Sequence, residues 1–335
     1  MTFKSKILST GSSFPAKRVS NDDLARRVDT TDAWIFERTG IRARRIADTA
    51  HGESNSDMGL AASRLAIDRA GLTPNDIDCI LYATVSPDHI MPNTACMLQE
   101  KLSDKLGAKR AAALDLSAAC SGFVYGLSIA DAFIRVGQFK NILLVGAEVL
   151  SSIVNWDDRG TCILFGDGAG AVIVSKAEPG ETSQIYSSHL YADGWMKDLF
   201  FVEAGGSSMP VSHAAIDQNL QYMQMKGREI YKVAVRMLAD CAVEALEKNG
   251  FTIDDLDWFI PHQANLRIIE AVAKRLGVPM EKVILNIEEY GNTSAATVPT
   301  AFDEAVTSGK IKRGDLVLFD VFGAGVTYGS TLIRF

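Results

Sequence analysis

Three side chains far apart in the chain have the types and settings needed for acyl-transfer chemistry. Cys120 lies in Asp115-Leu-Ser-Ala-Ala-Cys120-Ser-Gly-Phe-Val-Tyr125. It stands between an apolar run, Ala111 to Leu116, that reads as a buried strand, and a helix with Phe123, Leu127, Ala130 and Ile134 at helical spacing. A thiol there meets unpaired backbone N–H groups and the positive end of a helix dipole, which predicts a lowered pKa. The same amides can hold the oxyanion formed when a thiolate attacks a carbonyl. Most cysteines are small core residues, so the assignment depends on partners. His262 follows the apolar strand Asp257 to Ile260, in Pro261-His-Gln-Ala-Asn-Leu-Arg267, and Asn292 sits in the turn Gly291-Asn-Thr-Ser-Ala-Ala296. Alone, each has a structural reading, as a satisfied core histidine and as a turn-forming asparagine. Loops at the carboxyl ends of strands collect ligand groups in α/β sheets, so the three can converge as a nucleophile and two hydrogen-bond donors.

An internal repeat supplies the elements that must position them. Ala66 to Leu81 resembles Ala245 to Ile260: each reads as a helix end, a glycine stop, a short acidic turn and a strand. Ala132 to Val145 and Asp303 to Leu318 form a second pair, and Gly166 to Val174 with Gly323 to Ile333 a third. A repeat this long is a duplicated α/β domain rather than a solenoid. Continuous apolar strands between helices imply sheets covered on both faces. The boundary is placed near Lys176-Ala-Glu-Pro-Gly180, giving halves 1–178 (with the cysteine) and 179–335 (with His262 and Asn292) and a cleft between them.

Composition narrows the class. The chain has 335 residues, 47% hydrophobic and 22% charged, as in ordinary soluble globular proteins. No apolar stretch approaches the ~20 residues that span a bilayer, and the N-terminus is too short and polar for a secretory signal. Five cysteines without framework spacing point to reduced thiols in a cytoplasm. A net charge of -7 argues against general nucleic-acid binding. Gly166-Asp-Gly-Ala-Gly170 looks like a phosphate loop but lacks the Lys-Ser/Thr ending and leads into a strand. No Cys or His pairs have metal-site spacing.

The motifs together resemble those of the β-ketoacyl-acyl-carrier-protein synthases III, condensing enzymes of the thiolase superfamily, nearly end to end. They include Thr31-Asp-Ala-Trp34 with Arg38-Thr-Gly-Ile-Arg42, the Cys120 segment, Asp158-Arg-Gly-Thr161 with Phe165-Gly-Asp-Gly-Ala-Gly170, Pro261-His-Gln-Ala-Asn265, Gly291-Asn-Thr-Ser294 and Phe322-Gly-Ala-Gly-Val-Thr-Tyr-Gly329. The resemblance implies a five-layered αβαβα thiolase-like fold, two duplicated α/β halves and a homodimer. It implies an acyl-CoA starter, acetyl-CoA first, whose acyl group passes to Cys120 and is condensed with malonyl-acyl carrier protein, initiating fatty-acid synthesis with no cofactor. In that scheme His262 and Asn292 stabilise the enolate of decarboxylation, the amides of Cys120 and Ala324 hold the oxyanion, and Phe322 shields the nucleophile. Trp34 and Arg159 enclose the adenine of coenzyme A, with Arg38, Gly227 and Asn265 along its tunnel. Lys232, Arg267, Lys274 and Arg275 face the acidic carrier protein.

One departure bears on substrate choice. In Ser86-Pro-Asp-His-Ile-Met-Pro-Asn93, Met91 stands where family members often carry phenylalanine, at the end of the acyl pocket and contributed by the dimer partner. Flexible methionine leaves room for more than acetyl. The stretch Phe201 to Tyr222 also looks longer than usual. Competing readings are a specialised relative that condenses a longer, branched or aromatic acyl group in secondary metabolism, and a cysteine hydrolase releasing the acyl group to water.

Overall fold

A computed structural model describes residues 3–103 and 110–335. The first sheet has five strands in the order Ser5–Ser13, Gly168–Lys176, Asn141–Glu148, Cys79–Ala83, Ala112–Leu116. The first two neighbour pairs are antiparallel and the last two parallel. The second sheet runs Gln184–Ala192, Thr327–Arg334, Leu316–Gly323, Trp258–Pro261, again with two antiparallel pairs and then a parallel one. Its fifth position is reduced to one parallel bridge, Phe259 to Val283. The two sheets therefore share one strand order and one sequence of orientations.

The repeat seen in the sequence extends to detail. Helices Asn55–Arg69 and Gly227–Lys248 are followed by Gly71 and Gly250, whose φ values of 67° and 73° lie in the region that glycine reaches without a Cβ clash. Each then enters a short 3-10 turn closed by a capping box, Thr73 with Asp76 and Thr252 with Asp255, before its strand begins.

Side chains alternate across each sheet with period two, and this divides the apolar residues into layers. Leu81, Ile142, Leu144 and Val172 from the first sheet meet Ile260, Val317, Phe319 and Val321 from the second, around helices Gly122–Arg135 and Thr297–Thr307. The opposite face of the first sheet (Ile80, Tyr82, Leu143, Val145) packs on helices Asn55–Arg69 and Thr94–Leu102. The outer face of the second (Phe259, Leu318, Leu332) packs on helices Gly227–Lys248 and Leu266–Leu276. Helix, sheet, paired helices, sheet, helix is the five-layered αβαβα arrangement. The central helices are apolar around most of their circumference because both flanks are buried. No helix among the described residues is long and apolar enough to cross a membrane.

Candidate active site

Cys120 sits in a 3-10 turn, Ala119–Ser121, at the end of strand Ala112–Leu116 and directly before helix Gly122–Arg135. Ala119 holds the turn with φ 48°, a left-handed conformation that non-glycine residues adopt at a cost and that clusters at functional sites. The C-terminal loop presses on this turn. A Cβ added at Gly323 would lie 2.7 Å from the Cys120 amide nitrogen and 3.0 Å from that of Ser121, so only glycine permits the approach. Next to it Ala324 lines the same cavity as Cys120. The turn and the loop thus bring the two backbone segments assigned to the oxyanion together.

His262 is buried beyond strand Trp258–Pro261, its amide donating to the Asp320 carbonyl at 2.8 Å. Burial pushes its pKa down to about 3, so the ring is neutral at working pH. Nδ1 lies 2.7 Å from the Thr297 hydroxyl, which donates to the Ser294 carbonyl at 2.9 Å. That hydroxyl has one hydrogen. With that hydrogen on the Ser294 carbonyl, Nδ1 is the ring donor to Thr297, and Nε2 becomes the donor towards the cleft only when the hydroxyl turns to Nδ1.

Asn292 is fixed from both sides. Its amide donates to the Leu164 carbonyl at 2.8 Å, and its own carbonyl accepts from Gly166 at 3.1 Å, so the second-half turn is clamped to the first half. Oδ1 accepts from the Ser294 amide at 2.8 Å, which leaves Nδ2 to present its hydrogens. Cys120, His262, Asn292 and Phe322 line one cavity. A second, apolar arm runs from Cys120 between Leu150, Ile153, Phe201 and Met223. Part of that wall belongs to the stretch Phe201 to Tyr222, held by pairing of Phe200–Val202 with Met223–Met225. Cys120 stands at the junction of the two arms.

The remaining assigned residues fall at the mouth of the cleft and outside it. Gly227 and Asn265 line it, and Asn265 caps helix Leu266–Leu276 while donating to the Arg38 carbonyl at 3.0 Å. The guanidinium carbons of Arg38 and Arg159 lie 4.4 and 4.7 Å from the Trp34 ring centroid. Lys232 and Lys274 are exposed on the adjoining helices. Arg267 and Arg275 also reach the surface but are ion-paired, Arg267 to Glu37 at 3.4 Å and Arg275 to Asp240 at 3.2 Å. Met91 does not line the cavity of its own protomer; with Ile90 it stands exposed, at 85% and 94%.

The expected lowering of the Cys120 pKa is not what the surroundings produce. Burial pushes the thiol up to about 12, a Ser294 hydrogen bond works against that rise, and the charge of Glu148 adds to it. The helix end is real, but desolvation of a group 5% exposed outweighs it. Sequence reasoning also passed over Glu148, Ser294 and Thr297. Glu148 left a signal: it is a carboxylate ending the otherwise apolar strand Asn141–Glu148, at the carboxyl end where site residues gather. Among the described residues no cluster of His, Cys, Asp and Glu is placed to hold a metal ion.

Known proteins resemble the chain in sequence and in fold. The models for the 3-oxoacyl-[acyl-carrier-protein] synthase III family match residues 114–194 and, for its C-terminal part, 246–335. A β-ketoacyl-[acyl-carrier-protein] synthase III of Caldanaerobacter subterraneus is 49% identical over 98% of this chain and 97% of its own length. The crystal structure of the synthase III of Aquifex aeolicus superposes with a TM-score of 0.90 at 46% identity, covering 99% of this chain and all (100%) of that one. A priming β-ketosynthase of a polyketide pathway gives 0.90 at 36% identity, covering 99% and 96%. On this evidence the chain belongs to the β-ketoacyl-[acyl-carrier-protein] synthase III family of thiolase-fold acyltransferases.

Proposed function

We propose that this cleft condenses the acyl group of an acyl-CoA with malonyl-acyl carrier protein, with Cys120 as the acyl carrier and His262 and Asn292 as the donors for decarboxylation. The observation that carries the reading is the meeting of those three side chains in one cavity, with Asn292 Nδ2 left free by its own hydrogen bonds. Cys120 sulfur attacks the thioester carbon, the oxyanion is held by the amides of Cys120 and Ala324, and the CoA thiolate leaves. Malonyl-acyl carrier protein then enters, and loss of CO2 leaves an enolate whose oxygen accepts from His262 Nε2 and Asn292 Nδ2. Its carbon attacks the acyl-cysteine, giving the β-ketoacyl product and freeing Cys120. Phe322 lines the cavity with Cys120 and is assigned to shield it, which favours condensation over release of the acyl group to water. Trp34 and Arg159 are assigned to the adenine, with Arg38, Gly227 and Asn265 along the coenzyme A tunnel.

Acetyl-CoA is the first starter in this reading. The apolar arm behind Cys120 supports a second, in which a longer or branched acyl group is accepted. Exposed Ile90 and Met91 suit insertion into a second copy of the chain, where Met91 would close the end of that arm. The test offers acetyl-, isobutyryl-, hexanoyl- and octanoyl-CoA with and without malonyl-acyl carrier protein, reading the mass of the protein and of the product. Acyl-protein at Cys120 followed by a β-ketoacyl product supports the reading; acyl release without carbon–carbon bond formation refutes it.

Carrier docking is assigned to Lys232, Arg267, Lys274 and Arg275, beside the cleft mouth. The ion pair of Arg267 with Glu37 and its link to the helix bearing Trp34 and Arg38 make Arg267→Glu a mixed perturbation. Lys274→Glu is the cleaner change. It is expected to raise KM for malonyl-acyl carrier protein about tenfold at low salt, less at high salt, with acyl transfer from acyl-CoA unchanged. Equal loss in both half-reactions rejects the assignment.

A further inference from the structure

Glu148 is fully buried at the end of the strand Asn141–Glu148, and no ion pair joins it to a cation among the described residues. Oε2 accepts from Val85 N at 3.1 Å, Ser86 N at 3.2 Å, Ser86 Oγ at 2.5 Å and Thr84 Oγ1 at 3.0 Å. Oε1 accepts from Ser294 Oγ at 3.0 Å, and Ser294 lines the apolar arm together with Cys120, where its hydroxyl favours the thiolate. Ser294 holds that bridging place with φ 52°, the second strained non-glycine backbone at the site. A buried, uncompensated carboxylate one hydroxyl away from a buried thiol needs a reason, because burial of a charge without a counter-ion is costly.

We propose that Glu148, acting through Ser294, is the base that takes the Cys120 proton during acyl loading and returns it when the β-ketoacyl product is formed. The inference rests on Cys120 being the acyl carrier. The hydrogen inventory allows one direction of travel. Ser294 gives its only hydrogen to Glu148, so it accepts from the Cys120 S–H. As sulfur bonds to the thioester carbon, the S–H proton moves to Ser294 Oγ and the Ser294 hydrogen moves to Glu148. The C–S bond to coenzyme A breaks, and its thiolate takes a proton from solvent. In the second half-reaction the enolate carbon bonds to the acyl carbon, the bond to Cys120 breaks, and the cysteine thiolate regains the proton from Glu148 by the same path. One solvent proton is consumed per turnover, matching loss of CO2 from malonate.

The acidity of the carboxylate suits this task. Burial raises its pKa to about 7, against the lowering by its hydrogen bonds. Among the described residues, titratable groups near it are Cys120 and the Tyr82 hydroxyl, the latter bonded to Asn55. Among the described residues, Lys101, which shares a surface cavity with Ser86, is paired with Asp57 at 2.5 Å.

The experiment separates a base from a mere negative charge because the two predict opposite signs. In E148Q the amide can keep the Oε2 contacts and donate to Ser294 Oγ, while the charge opposing the thiolate disappears. A purely electrostatic role therefore makes E148Q react faster. The relay makes it slower, by about 100-fold at pH 7 for acyl loading from acetyl-CoA, with the rise in rate near pH 7 moved above pH 9. S294A, which leaves the other four donors to Glu148 in place, should do the same. T84V removes a donor outside the path and should keep the inflection, moved slightly upward. An E148Q loading rate equal to or above wild type overturns the proposal, as does a wild-type pH profile in S294A, or equal slowing of all three variants without a change in profile. If E148Q fails to fold, S294A decides alone. Absence of acyl transfer to Cys120 in the wild-type protein would instead sink the functional reading on which the proposal rests.

Discussion

Cys120→Ala takes up no acyl group from acetyl-CoA and forms no β-ketoacyl product, yet still decarboxylates malonyl-acyl carrier protein. The condensation rate falls by at least about 10⁴-fold, the scale at which removal of a covalent nucleophile acts in a comparable site. No other thiol can substitute. Cys79, Cys162 and Cys241 are buried, with their thiols pushed up to about 11, 11 and 12, and Cys96 lies on the outer helix Thr94–Leu102. Decarboxylation persists because Asn292 and His262 are held by Ser294, Leu164, Thr297 and Asp320, none of which depends on the sulfur. Mass spectrometry of the protein and measurement of released CO2 check both halves. An acylated Cys120→Ala protein would remove Cys120 from its role.

The complementary result is expected from His262→Ala and Asn292→Ala. Each leaves acyl loading within a few-fold of wild type and slows decarboxylation by about 10² to 10³, corresponding to about 3–4 kcal/mol for one lost oxyanion donor. The double variant should lose less than the product of the two, since both donors serve one oxygen. Single-turnover loading and CO2 release separate the steps; equal slowing of both would show that the pair also serves the first transfer. Thr297→Val should mimic His262→Ala in part, by releasing Nδ1 from the hydroxyl that holds it.

A pH consequence accompanies the neutral imidazole. An unfolded histidine binds its proton near pH 6.5, whereas buried His262 does so only near 3. The unfolded chain therefore binds more protons below pH 6.5. The stability this residue contributes is complete above that pH and declines as the pH falls towards 3. His262→Gln should flatten this part of a denaturant-midpoint profile against pH, and an unchanged slope would show that the ring is not desolvated.

Much of the architecture was legible because duplication writes itself twice. The paired glycine stops and acidic turns predicted matched helix–turn–strand units, and the structure places capping boxes at both. The convergence of Cys120 and His262 was legible because each follows an apolar strand, whereas Asn292 follows the short helix Ile287–Tyr290. The acidity of Cys120 was misjudged, since a helix terminus is visible in sequence and the depth of burial is not. Thr84, Ser86, Glu148 and Ser294 meet only through tertiary packing, so nothing in their spacing announces a network. The ion pairs that occupy Arg267 and Arg275 were hidden likewise, because Glu37 and Asp240 lie far from them along the chain.

The single rung between Phe259 and Val283 makes the two sheets unequal, and the inequality has a use. A full fifth strand would hold residues after Val283 along the edge of their own sheet. Released after one rung, the chain turns away and spans the gap to the other lobe, where the segment around Asn292 is stitched to Leu164 and Gly166. The carboxamide is thus delivered by a part of the copy that stopped copying. Restoring edge pairing beyond Val283 would tighten the second sheet and withdraw Asn292 from its post, so gain of fold symmetry would mean loss of turnover.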